Sequence, residues 1–396
     1  MNQSVSLSLT NISRPPSVLS LSVFAGQHNH CCRRCMGSIV SSTSTSGIGS
    51  NASRSVVMDK QRYVRRAQHA GSWYEDSGPD LDATLAEYLN NAKEDGGGHS
   101  SNNNKSNDNN NNNSSTGGTV QSSSSSSLLR GLVGPHAGFS YSGSTAAYAY
   151  AALTKALQRQ DQVVSTILVL HPSHHVYLDG CALSGASAIE TPLGNMSVDD
   201  ELRQKLYRTG RFSVMDRQTD EDEHSGELHY PYIVKSCIDA GVVGSTKILP
   251  IMVGAVNENT ELAFGRLLAP IVADPSVITV VSSDFCHWGS RFRYQPTPSR
   301  STLAIFQHIS ELDHRGMSHI ELQQPGAFAR YIRETNNTIC GRHPIAVWLN
   351  AIRYNNDNAI ESLDVKFIKY AQSSAVRSMR ESSVSYASAV AYRTEG

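Results

Sequence analysis

From Leu129 onward, short apolar runs alternate with segments of helical period, and this alternation restricts the fold more than any other feature of the chain. The runs are Leu129–Val133, Ser165–Leu170, Lys247–Val253, Val277–Ser282, Val365–Tyr370 and Val384–Ala391. Each has strand length and is too apolar to leave one face in water. Helical patterns fall at Ser144–Leu157, Asp199–Arg208, Glu227–Ala240, Glu261–Ala273, Ser301–Ser310, Gly326–Thr335 and His343–Arg353, with one more upstream at Leu81–Ala92. Strand and helix in turn predict an α/β fold, a single large domain with a mostly parallel sheet flanked by helices. No helix separates the last two strands, so they pair antiparallel or cross between sheets.

Composition enters because the averages look wrong for such a domain: 39% hydrophobic and 17% charged over 396 residues. Two stretches account for the dilution. Residues 1–57 are Ser-rich and hold Arg14, Arg33, Arg34 and Arg54 without one acid, and residues 96–127 are mostly Asn, Ser and Gly. Neither has the apolar content to fold alone. The first reads as a disordered extension and the second as a low-complexity insert in a surface loop of a 58–396 domain. Setting both aside leaves 307 residues, enough for a large core. The net charge of -1 gives no field for nucleic acid.

No apolar run approaches the roughly 18 residues of a membrane span, so a soluble protein without one is expected. The predicted compartment is the cytoplasm, with the nucleus open to it. The mitochondrion is the alternative if residues 1–57 act as a transit peptide, against which stand Pro15, Pro16 and the lack of an amphipathic arginine helix. Seven cysteines, three of them in the tail cluster HNHCCRRC (His28–Cys35), do not form a disulfide framework. That cluster reads as solvated tail, because a structural zinc site needs ligand pairs separated by a folded element.

The histidines are informative through their placement. The first run ends in GPHAG with His136, the second in LHPSHH with His171, His174 and His175, and the fourth in SSDFCHW with Asp284, Cys286 and His287. Ligands of a parallel sheet bind beyond the carboxyl ends of its strands, where rigid elements bring side chains together. His174 and His175 are adjacent and point apart, so at most one of them is a ligand. TDEDEHSGELHYP (Thr219–Pro231) reads equally well as a helix cap. In NNTICGRHP (Asn336–Pro344), Cys340 at a sharp turn is either a buried thiol or a metal ligand or nucleophile.

These segments resemble the Memo family. They are HAGSWYEDSGP (His69–Pro79), GPHAGFSYSGSTAA (Gly134–Ala147), PSHHVYL (Pro172–Leu178), TDEDEHS (Thr219–Ser225), VSSDFCHWGSRFRY (Val281–Tyr294), NNTICGRHPI (Asn336–Ile345) and YAQSS with SSVSYA (Tyr370–Ala387). The resemblance implies a fold similar to the class III extradiol (LigB-like) dioxygenases and one copper or iron ion per chain, with no nucleotide cofactor. His136, His174 and Cys340 would be its ligands, and Asp284 and His287 would stand beside it as acid/base groups, with Asp284 orienting His287. Trp73, Tyr141 and Arg293 match positions lining the same cleft, where the family is associated with phosphotyrosine-containing peptides and signalling partners. Cys340 stands where the dioxygenases have a carboxylate. A thiolate is softer and oxidisable, which favours a redox or signalling metal site over ring cleavage. A metal-dependent oxidoreductase acting on a small aromatic substrate, with His287 as acid/base, and a phosphotyrosine-peptide module are the alternatives. His171 stands where relatives commonly have Gly.

Overall fold

The computed structural model describes residues 62–97, 127–297 and 303–394; the tail cysteine cluster and most of the insert lie outside them. The strands are β1 (Val64–Arg65), β2 (Leu129–Gly134), β3 (Thr166–Pro172), β4 (Cys181–Leu183), β5 (Ala188–Thr191), β6 (Gly194–Ser197), β7 (Phe212–Val214), β8 (Lys247–Val253), β9 (Val277–Ser282), β10 (His287–Trp288), β11 (Leu363–Gln372) and β12 (Ser383–Arg393). The helices are α1 (Gly78–Gly97), α2 (Phe139–Leu157), α3 (Asp200–Arg208), α4 (Arg217–Asp222), α5 (His224–Glu227), α6 (Tyr230–Ala240), α7 (Glu258–Val272), α8 (Ile305–Glu321), α9 (Pro325–Thr335) and α10 (Arg342–Asp357).

Nine strands form one mixed sheet in the order β10-β12-β2-β9-β3-β8-β4-β7, with β11 paired to β12. Its centre, β2-β9-β3-β8, is parallel throughout. These are the four long apolar runs, and β2, β3 and β9 are buried along their whole length, as strands covered on both faces must be. The sheet turns antiparallel on both sides of that centre, at β12 against β2 and at β4 against β8. The last two strands pair antiparallel with each other. The architecture is a mixed α/β sheet flanked by helices, parallel at the centre and again between β4 and β7 at one edge.

Helices α1, α2 and α6 cover one face, and α7 and α10 pack together on the other. In α1, Leu81, Leu85, Leu89 and Ala92 are buried, a stripe at helical spacing. Tyr232 of α6 donates a hydrogen bond to the Gly143 carbonyl of α2 at 2.7 Å. The face-to-face approach of α7 and α10 requires Gly265, where a β-carbon would lie 2.4 Å from that of Asn350.

The predicted helix Glu227–Ala240 is divided. Asp216 caps α4 by accepting the Thr219 N–H, Glu223 caps α5 by accepting the Ser225 N–H, and Pro231 sits in the first turn of α6. The short strands β1, β5 and β6 form a separate three-stranded sheet that sequence patterning does not signal.

Candidate metal centre

Because β2, β9 and β3 are adjacent and parallel, their carboxyl ends open on the same edge of the sheet. His136 follows β2, His174 follows β3, and Asp284 and His287 follow β9. The fourth contributor is the turn before α10, which carries Cys340. Gly341 allows that turn to sit against the end of β9: a β-carbon there would lie 2.3 Å from the Ser282 carbonyl oxygen.

One ligand atom each from His136, His174 and Cys340 falls within 4.8 Å of the others. His136 Nε2 and Cys340 Sγ stand 3.1 Å apart. First-row ions bond imidazole nitrogen at roughly 2.0 Å and thiolate sulfur at roughly 2.3 Å, so this triangle fits around a single ion. The tautomers agree. Ser282 donates its hydroxyl to the Ser225 carbonyl at 2.7 Å, which leaves Ser282 Oγ to accept from His136 Nδ1 at 2.6 Å. Glu223 Oε1 accepts from His174 Nδ1 at 2.8 Å. Each imidazole is thereby turned with Nε2 as its ligand atom, the carboxylate or hydroxyl acting as the outer partner that metal-bound histidines use.

Burial, and then the neighbouring His174 and His224, hold His136 well below its ordinary pKa, so it is neutral and able to ligate. Burial raises Glu223, but the charge and hydrogen bond of His174 outweigh it and keep the carboxylate well below its usual range. The Asp284 carboxyl is pushed up to about 7 by burial, against the opposing N–H groups of His136 and Ala137. Its Oδ1 accepts the His136 N–H at 2.8 Å, so Asp284 fixes the GPHAG loop. The Nδ1 of His287 donates to the carbonyls of Phe285 at 2.9 Å and Thr338 at 3.1 Å. The Asp284 N–H meets Cys340 Sγ at 3.2 Å.

Trp73 lies beside the cluster, its ring 4.6 Å from that of His224. His224 stacks on His174 at 4.6 Å and meets His136 edge-on at 5.6 Å. Tyr141 is exposed at the start of α2. Arg293, also exposed, takes the left-handed conformation (φ 55°) after the turn Ser290–Phe292. Arg291 lies over the Phe292 ring, which meets His287 edge-on at 5.2 Å. His171 is buried, donates from Nδ1 to Ser225 Oγ at 3.0 Å, and is lowered to about 4 by burial.

Glu223, His224, Ser225 and Ser282 are the site residues that sequence reasoning did not single out by role. The signal for three of them was TDEDEHS, where capping and ligand support are the same act: Glu223 accepts the Ser225 N–H at 3.0 Å and also the His174 N–H at 2.6 Å. His174, Glu223 and His224 form a second group with metal-ligand spacing. The described cysteines 181, 237, 286 and 340 are all unbridged.

A mixed α/β protein with a His/His/Cys group at the carboxyl edge of its parallel strands is the class that fold and site define. The Memo-like protein family matches residues 65–390, and the chain belongs to that family. Among its relatives, "Protein MEMO1" of Homo sapiens is 40% identical over 80% of this chain and 93% of its own length. The Mus musculus protein of that name is 41% identical over the same shares. "Protein memo-1 homolog" of Caenorhabditis elegans is 37% identical over 83% of each chain. Among solved structures, the uncharacterized protein JW3007 from Escherichia coli K12 superimposes with a TM-score of 0.38 at 12% identity, over 65% of this chain and 98% of its own.

Proposed function

We propose that this Memo-family protein holds one copper or iron ion between His136, His174 and Cys340 and uses it in redox or signalling. The observation that carries this reading is the convergence of the three ligand atoms within 4.8 Å. The Nδ1 atoms of both histidines are already committed to outer acceptors, which is the order of a site built for an ion. A bound copper or iron ion would supply one-electron chemistry, and the soft thiolate favours copper. His287, with Nδ1–H given to two carbonyls, has Nε2 as the atom able to accept a proton. Metal analysis of protein purified without chelators tests the assignment. The wild type is expected to carry close to one ion per chain and the His136→Ala/Cys340→Ser variant almost none; equal metal in both rejects it.

A second reading is favoured by Trp73, whose ring faces the histidine cluster from the rim beside exposed Tyr141. The same cleft would then take a phosphotyrosine-containing peptide, with Arg293 or Arg291 meeting the phosphate. Titration with phosphorylated and unphosphorylated forms of one peptide decides this, and equal affinity for both ends it.

A further inference from the structure

Asp313 lies in α8, outside every motif considered above, and is fully buried. Its Oδ1 accepts two hydrogen bonds from separate loops. One comes from the Cys286 N–H at 3.2 Å, between Asp284 and His287, and the other from Asn337 Nδ2 at 2.9 Å, three residues before Cys340. Its Oδ2 accepts from the Tyr370 hydroxyl of β11 at 2.9 Å. The backbone of Ser385 in β12 completes the clamp, giving its N–H to the Cys286 carbonyl at 3.0 Å and accepting the Phe285 N–H at 2.8 Å.

No arginine or lysine forms an ion pair with Asp313 among the described residues. A buried carboxylate is costly unless its lone pairs are met, and here neutral donors meet them. An amide oxygen could still accept from both loops, its NH2 then meeting the Tyr370 hydroxyl, which can turn to donate to Ser385 Oγ at 3.1 Å; alanine leaves both loop donors without an acceptor.

We propose that Asp313 is a positioning residue of the metal centre: one carboxylate oxygen ties the loop of Asp284 and His287 to the loop of Cys340 and so sets where the thiolate stands. The proposal rests on the metal-binding reading. The Asp284 N–H to Cys340 Sγ contact of 3.2 Å lies directly across the tie, so a slip between the two loops changes the environment of the sulfur.

The test uses the full chain with Asp313→Ala, and Leu89→Ala in α1 as a destabilised control remote from the tie. Cobalt(II) titration follows the thiolate-to-metal charge-transfer absorption, and alkylation of Cys340 by iodoacetamide is timed on metal-free protein. Asp313→Ala is expected to weaken cobalt binding by about tenfold or more, to shift the charge-transfer band and to alkylate faster. Leu89→Ala is expected to lower the melting temperature alone. Wild-type affinity, band and alkylation rate in Asp313→Ala would overturn the proposal, as would the same three changes in Leu89→Ala. If Asp313→Ala does not fold, Asn337→Ser cuts the tie from its other end, with the same expectations and the same refutation. A wild type that binds no cobalt rejects the metal-binding reading, and the alkylation comparison still decides the role of Asp313.

Discussion

Glu223 gives one oxygen to the Nδ1 of His174 and the other to the backbone N–H of the same residue, while also capping α5. Its acidic neighbours made the segment look like a helix cap, and local sequence had no means of showing that the same carboxylate also reaches a residue 49 positions away. Glu223→Gln keeps the shape but offers His174 one acceptor in place of a carboxylate. It is expected to lower metal affinity by about 10–100-fold in competition with a chromogenic chelator while the circular dichroism spectrum stays unchanged. His171 predicts a pH effect. Its folded pKa, lowered to about 4 by burial, lies below the ordinary value near 6.5. Between these values the unfolded chain binds a proton that the folded chain refuses, so stability contributed by neutral His171 is present above about 6.5 and lost as pH falls towards 4. Urea unfolding across that range is expected to show a shallower acid loss in His171→Gln, by up to roughly 3 kcal/mol at the acid end.

The elements that bring the site together were legible where they are long and apolar. The runs ending before His136, His174 and Asp284 are β2, β3 and β9, and their parallel register puts those three residues on one edge. Strands of two to four residues, such as β1, β5, β6 and β7, carry too little period to be read. The turn that delivers Cys340 depends on an element contact that only the fold reveals. Gly341→Ala would push a β-carbon into the Ser282 carbonyl and the Ser283 side chain. The expected cost is about 1–3 kcal/mol, with weakened metal binding, measured by chemical denaturation and metal competition. Gly326, near the start of α9, has open space around its missing β-carbon. Gly326→Ala is expected to stabilise by up to about 1 kcal/mol without affecting metal binding.

Across the whole molecule, the shortage of apolar side chains in residues 1–57 and 96–127 could be read from composition. The long-range polar joints could not. Arg65 of β1 is buried and reaches Asp220 at 3.2 Å, Glu227 at 2.7 Å and the Glu223 carbonyl at 2.8 Å, tying the first strand to the TDEDEHS segment behind the site. Arg65→Leu leaves two buried carboxylates without their cation and is expected to cost about 3–5 kcal/mol in a urea titration, with loss of metal binding as α4 and α5 loosen. The proposed centre is one ion held by the imidazoles of His136 and His174 and the thiolate of Cys340. X-ray absorption at the copper and iron edges, on protein purified without chelators, reads the ligand shell directly. One sulfur at about 2.3 Å and two nitrogens at about 2.0 Å are expected, with the sulfur lost in Cys340→Ser. A shell of oxygen and nitrogen alone in the wild type, or a sulfur that persists in Cys340→Ser, would contradict it.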